Sequence, residues 1–115
     1  MVKKIDDLLV RKITKKPLLT ILYALNESPK RWSELEKLTN KRYVHEGIKE
    51  LINLGLVQIE LIFDTPTGTK LYKLTPLGEK IVQLLQQIEK EFEEYHSKVP
   101  PKDPEEFINE LLDDD

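Results

Sequence analysis

The feature that most constrains what this chain can fold into is a change of period at Gly55. Before it, apolar residues recur every three or four positions, the spacing of a helix with one buried face. Leu18, Ile21, Leu22 and Leu25 form one such stripe, and Val44, Ile48, Leu51 and Ile52 another. After it, Val57, Ile59, Leu61 and Phe63 alternate with Gln58 and Glu60, which is the period of a strand. Helical spacing returns after Thr75. Helices closed by a short hairpin and followed by a further helix define an α+β chain that is mostly helical.

Local signals place the boundaries. Ile5, Leu8, Leu9 and Ile13 predict a short amphipathic helix within residues 4–14. Pro17 suits the first turn of a second helix, which Asn26-Glu27-Ser28-Pro29 ends. Ser33 and Glu36 have the spacing of a capping box, starting a brief helix with Leu35 and Leu38 inward and Trp32 stapled just before it. Thr39-Asn40 is a tight break, and Asn40 caps a helix over residues 41–54. Gly55 stands where a left-handed residue closes that helix. Asp64 to Thr69 is dense in turn formers, and Lys70-Leu71-Tyr72-Lys73-Leu74 forms the return strand. Thr75-Pro76 reads as the cap and first residue of a long helix to about Ser97, and Pro100-Pro101 breaks the chain. Asp103 and Pro104 start a small helix with Phe107, Ile108, Leu111 and Leu112 on one side, ended by Asp113-Asp114-Asp115. Residues 1–97 thus form one domain, and residues 98–115 an acidic tail with a short amphipathic helix.

Composition excludes several function classes. The 115 residues suffice for one modest core, with 39% hydrophobic and 34% charged residues. No apolar run approaches the roughly 20 residues of a membrane span. Asp6 and Asp7 fall where the apolar stretch of a secretory leader would begin, so a cytoplasmic protein without a membrane partner is expected. With no cysteine, disulfides and thiolate metal sites are ruled out. His45 and His96 are far apart and lack a close carboxylate partner, so no metal site is expected. Hydrolase triads, a P-loop and GxGxxG are absent, so neither enzymatic activity nor a cofactor is expected.

The net charge of −3 conceals an asymmetry. Residues 1–80 hold 15 Lys and Arg against 10 Asp and Glu, a balance of +5, whereas residues 81–115 hold 3 against 11, a balance of −8. A basic surface on the first part and an acidic arm on the second fit a nucleic-acid partner despite the negative total. The acidic run Glu89–Glu94 reads as a solvated helix face.

Four segments carry a family resemblance: Lys16-Pro17-Leu18-Leu19-Thr20-Ile21-Leu22-Tyr23-Ala24-Leu25, Pro29-Lys30-Arg31-Trp32-Ser33-Glu34-Leu35, Ile48 to Val57 ending in "L-G-L-V", and Leu71 to Gly78 with "Y-x-L-T-x-x-G". In this order and spacing, over about residues 15–88, the chain resembles the winged helix-turn-helix transcription regulators. The HxlR type is most similar, with the MarR and PadR types as near relations. The resemblance implies a two-stranded wing, a long C-terminal dimerisation helix and a recognition helix at 41–54. Two features depart from the pattern. The cysteine that many HxlR-type proteins carry near the first helix is missing, and the wing tip Thr65-Pro66-Thr67-Gly68-Thr69 lacks the arginine that many winged helices insert into the minor groove.

With its apolar stripe inward, the helix at 41–54 exposes Lys41, Arg42, Tyr43, His45, Glu46, Lys49 and Asn53. A recognition helix offers its N-terminal part to the major groove, which makes Arg42 the candidate for guanine O6 and N7. Tyr43 and His45 suit bases, sugars or phosphates. Lys30, Arg31, Lys41 and Lys49 suit phosphates, as do Thr67, Lys70 and Lys73 on the wing. Glu46 and Glu50 oppose nonspecific binding.

Ile81, Leu85, Ile88, Phe92 and Tyr95 are spaced 4, 3, 4 and 3 residues apart, a coiled-coil seam. A homodimer through this seam, with Ile5, Leu8, Leu9 and Ile13 alongside, is expected; residues 104–112 folding back over it is the alternative. The function expected is sequence-specific binding of double-stranded DNA as a transcriptional regulator, a repressor rather than an activator. The alternative is a winged-helix protein–protein interaction module of a larger assembly with little DNA affinity. No small-molecule effector is named by any residue pattern.

Overall fold

The computed structural model describes residues 3–98, 108–109 and 111–112. Its core is built where α2 (Lys16–Glu27) crosses α4 (Lys41–Asn53). Leu18, Ile21, Leu22 and Leu25 of α2 meet Val44, Ile48 and Leu51 of α4, all buried. Gly47, also buried, sets the closeness of the two helices: a Cβ there would lie 2.9 Å from Ile21 Cδ1. Asn40 Oδ1 accepts from the Arg42 N–H at 2.9 Å and fixes the start of α4, as its cap position predicts.

The end of α4 is a Schellman closure. Gly55 adopts φ +78°, its N–H donates to Ile52 O at 3.0 Å, and Leu56 N–H donates to Leu51 O at 2.9 Å. Leu51 and Leu56, brought together by this turn, are both fully buried. The chain then enters β2 (Val57–Ile62), turns through Asp64–Gly68, and returns as β3 (Thr69–Leu74) in antiparallel register, with Val57 opposite Leu74 and Ile62 opposite Thr69.

Thr75 and Gly78 join that turn to α5 (Pro76–Lys98). Thr75 N–H donates to Leu56 O at 3.0 Å. The Thr75 hydroxyl donates to Gly55 O and accepts from Gly78 N–H at 3.0 Å, capping α5 while binding the end of α4. A Cβ on Gly78 would stand 2.1 Å from Leu56 O, so only glycine admits this approach.

Several expectations are corrected. The first helix is not continuous over 4–14: a 3-10 turn, Ile5–Asp7, and α1 (Leu9–Ile13) flank Leu8, whose backbone is extended. The break turns Ile13 into the core at 1% exposure, whereas Ile5, Leu8 and Val10 stay exposed. The two-stranded wing, β2 and β3, is joined by an unexpected short third strand, β1 (Lys30–Arg31), which pairs with β3 and gives the sheet order β1-β3-β2. Helix α3 (Trp32–Leu35) starts two residues early, capped at Arg31 instead of Ser33, with Trp32 inside it. Its start is held by Glu34, which accepts from Arg31 N–H at 3.0 Å, in place of the Ser33–Glu36 box. Because α3 ends at Leu35, Leu38 is exposed instead of buried. Strand β2 ends at Ile62, one residue short of Phe63, and buries only Val57; Ile59, Leu61 and Phe63 are exposed. Helix α4 ends at Asn53, with Leu54 as its cap, and α5 runs on to Lys98.

Two compact units divide the chain, Met1–Leu84 and Leu85–Asp115. Within the first, Val82 is buried, Ile81 half-buried, and Leu77 and Leu84 exposed. Within the second, Leu85 is half-buried and every residue from Gln86 to Lys98 is exposed. Ile108, Leu111 and Leu112 are helical and exposed, while Pro100-Pro101, Asp103, Pro104, Phe107 and Asp113–Asp115 lie outside the described residues. No helix among the described residues is long and apolar enough to cross a membrane.

The Thr75–Gly78 junction makes a stability prediction. Gly78→Ala forces a methyl group into the Leu56 carbonyl and is expected to cost about 3 kcal/mol or more, the scale of strained or overpacked sites. Thr75→Val, which removes the cap and the bond to Gly55 O, is expected to cost about 1–2 kcal/mol. Chemical denaturation of the two variants against the unaltered chain checks both values and their order.

Candidate nucleic-acid interface

Helix α4 buries Val44, Gly47, Ile48 and Leu51, and thereby leaves Lys41, Arg42, Tyr43, His45, Glu46, Lys49 and Asn53 exposed. The exposed set follows from the buried one, since residues a turn apart share a face. Arg42 is fixed at two points. Its backbone N–H is held by Asn40, and its Nε lies 3.3 Å from Glu46 Oε1 one turn along. Lys41 Nζ is 4.0 Å from Glu36 Oε1, and the same carboxylate oxygen accepts from the Trp32 indole N–H.

Trp32 forms the floor of a cleft between α4 and the hairpin. Its ring centroid is 6.2 Å from that of His45, edge to face, and 5.7 Å from that of Tyr72. Ile48 and Lys49 of α4 and Ile59 of β2 complete a space of about 240 Å³. Burial raises the Tyr72 hydroxyl above its ordinary pKa of 10.0.

The hairpin sorts the wing lysines. Along β3, side chains alternate between the two sheet faces. Lys70 shares a face with Tyr72, which lines the α4 cleft, whereas Lys73 is on the opposite face, 2.9 Å from Glu60 Oε2. Lys73 instead borders a second cleft with Leu25, Pro29, Gln58 and Glu79. Thr67 is exposed in the turn, and Lys30 is held by Ser28 Oγ at 2.6 Å. The structure thus brings Lys49, His45 and the wing's Tyr72 face together and separates Lys73 from them.

Arg31 is tied to the wing. Its Nη2 donates to Asp64 Oδ2 at 2.7 Å, and Thr69 Oγ1 donates to Asp64 Oδ1 at 2.7 Å across the base of the turn. Sequence reasoning missed Asp64 and Glu36 as holders of cations; Arg31 and Asp64 are 33 positions apart, and no local pattern links them. The pairing of Arg42 with Glu46 did leave a signal, because a spacing of four places both on one helix face.

Of the proposed dimer residues, Ile5, Leu8, Ile88, Phe92 and Tyr95 are exposed, while Leu9, Ile81 and Leu85 are half-buried. Among the described residues, no group of three His, Cys, Asp or Glu is placed to hold a metal ion.

The Asp64 carboxyl is held below its ordinary pKa of 3.8, first by the hydroxyl of Thr69 and then by the charge of Arg31. A depressed carboxylate contributes stability above its unfolded-state pKa and loses it as pH falls through the folded-state value. Thr69→Val is therefore expected to move the Asp64 titration midpoint upward, and to bring the loss of the Arg31 pair to a higher pH. Carboxyl-carbon NMR across the acid range measures both.

The comparisons with known proteins agree with this geometry. The profile of the HxlR-like helix-turn-helix family matches residues 12–100. A protein from Enterococcus faecalis V583, described as a MarR-family transcriptional regulator, is similar in structure, with a TM-score of 0.67 and 25% identity, over 77% of this chain and 83% of that one. The reduced form of the transcriptional regulator YodB from B. subtilis gives a TM-score of 0.63 and 22% identity, over 78% and 89% of the two chains. A MarR-family protein from Porphyromonas gingivalis W83 gives 0.58 and 22%, over 78% and 93%. No curated protein sequence matches significantly. The fold, the exposed face of α4 and the family match over most of its length together make this chain a member of the HxlR-like helix-turn-helix family of DNA-binding transcription regulators.

Proposed function

We propose that the chain acts as a homodimer that binds a specific double-stranded DNA site and represses transcription by occluding it. The observation that carries this reading is the first turn of α4, where Lys41, Arg42 and Tyr43 all lie exposed on a helix whose other face is buried. In a helix-turn-helix that turn enters the major groove, so Arg42 addresses base edges. Lys41, Lys49, Lys30 and Arg31 address phosphates, with Tyr43 and His45 beside them. On the wing, Lys70 and Thr67 address phosphates as well, and Lys73 contributes least because it faces away, paired with Glu60.

The apolar residues of α5 support the dimer. Ile88, Phe92 and Tyr95 recur at seam spacing and are 60%, 62% and 65% exposed in the single chain. Burying each side chain of this size contributes roughly 1.5–3 kcal/mol, which favours a second copy of the same helix as the cover. Leu85 and Ile81 extend the seam, and Ile5, Leu8 and Leu9 add apolar surface. A two-fold dimer sets half-sites about 34–36 Å apart or at a multiple of that spacing.

Titration of labelled duplex DNA at several salt concentrations tests the DNA reading. A steep negative slope of log affinity against log salt and a preference for a palindromic site are expected. Lys49→Ala should reduce the slope by about one, the loss of one phosphate contact, and Lys73→Ala should leave it nearly unchanged. Absence of duplex binding at low salt would overturn the reading and point to a protein-interaction module, for which the exposed Ile59, Leu61 and Phe63 offer a surface.

Light scattering tests the dimer. The full chain is expected to give twice the monomer mass at micromolar concentration, and Phe92→Glu to give the monomer mass. A monomer for the unaltered chain would mean that the seam is covered from within.

A further inference from the structure

From the geometry at the start of α4 we infer that Glu46 is a specificity-determining positioning residue, which holds Arg42 so that only the outer edge of its guanidinium reads guanine. The inference deepens the DNA-binding reading and rests on it. A guanidinium presents two edges that fit the guanine O6 and N7 pair: the edge formed by Nε and one terminal nitrogen, and the end formed by the two terminal nitrogens. Glu46 Oε1 takes Nε at 3.3 Å, which removes the first edge from competition. What remains free is the end, and the two side chains stand in open solvent at 81% and 61% exposure, accessible to a groove.

The root of the side chain is restrained, and its tip has one directed partner. Asn40 Oδ1 holds the Arg42 backbone N–H at 2.9 Å, and Gly47, the residue after Glu46, is packed against Ile21 and Leu18. Arg42 and Glu46 therefore project from a stretch of backbone that is capped at one end and pinned to α2 at the other. An arginine biased toward one arrangement by its capped backbone and its Nε partner gives up less conformational freedom on docking than an unpaired one.

The charge of Glu46 acts in the same direction. On a sequence without the matching guanine, Arg42 gains little, while the carboxylate is brought against the negative surface of the duplex without compensation. The pair thus penalises wrong sites and is tolerated on the right one, a difference of affinities produced partly by repulsion. An exposed pair of this spacing contributes little to stability, so removing its charge is expected to leave the fold intact.

The same residues make the role separable from folding. Glu46 is exposed and Glu46→Gln keeps size and helix propensity while removing the charge. The test begins by selecting the preferred duplex from a random pool with the unaltered full chain. Affinities of the unaltered chain, Glu46→Gln, Arg42→Ala and the double variant are then measured on that duplex. The same measurements are made on duplexes with 7-deazaguanine or adenine replacing each selected guanine, and on unrelated DNA. Expected are a guanine whose replacement weakens the unaltered chain but not Arg42→Ala, and a loss of about five- to tenfold in guanine preference for Glu46→Gln. Affinity of Glu46→Gln for unrelated DNA should stay equal or rise, a change opposite in sign to that of a merely destabilised protein. The double variant should lose no more preference than Arg42→Ala alone.

If Arg42→Ala loses a guanine preference that Glu46→Gln retains in full, Glu46 is not a positioning residue and the inference fails while the DNA reading stands. A guanine preference unaffected by Arg42→Ala overturns the inference too, by assigning base reading to another residue. Failure of the unaltered chain to bind any duplex overturns the DNA reading itself.

Discussion

Everything in the winged body depends on one junction, the approach of the α5 start to the turn that ends α4. The Thr75 hydroxyl bonds to Gly55 O and Gly78 N–H together, and Gly78 lies against the Leu56 carbonyl with no room for a side chain. Two glycines are needed for different reasons. Gly55 supplies a backbone with positive φ in otherwise open space, and Gly78 supplies the absence of a Cβ. The segments "L-G-L-V" and "Y-x-L-T-x-x-G", 20 positions apart at Gly55 and Thr75, are one structural unit. The end of α4, the start of β2, the end of β3 and the start of α5 all converge there.

Four of the seven cations of the candidate interface have a carboxylate neighbour. Arg31 has Asp64, Lys41 has Glu36, Arg42 has Glu46 and Lys73 has Glu60. A cation already neighboured by a carboxylate attracts phosphate less than a bare one, and these exposed pairs are open to exchange. The +5 balance of residues 1–80 already counts these four carboxylates, so it is this net, and not the 15 cations, that a passing duplex meets.

How much was legible in the sequence depends on how local each cause is. Asn40, Gly55 and Thr75-Pro76 act on their own few residues, and each caps or closes a helix where its chemistry says it should. The exposed face of α4 was legible as the complement of Val44, Ile48 and Leu51. Features decided by distant partners were not. Strand β1 exists because β3 offers an edge to Lys30 and Arg31, and the first helix breaks at Leu8 while Ile13 enters the core. Ser33 and Glu36 have the right spacing for a box, yet the Trp32 indole claims the Glu36 carboxylate and the helix starts earlier. In the interface, Arg42 and Lys49 follow from helical period alone, whereas the Arg31–Asp64 tie and the turning away of Lys73 need the hairpin in three dimensions.

Trp32 is the one tryptophan in the chain, and its surroundings give it a use beyond packing. Its indole N–H is bonded to Glu36, which also neighbours Lys41, and its ring lies beside His45 and Tyr72 in the cleft between α4 and the hairpin. Indole emission responds to the field, protonation and motion of such neighbours. The protein therefore carries a built-in optical gauge in the cleft between α4 and the hairpin. Any event that shifts Lys41, His45 or the hairpin is readable from unlabelled protein as a change in the colour or brightness of a single residue.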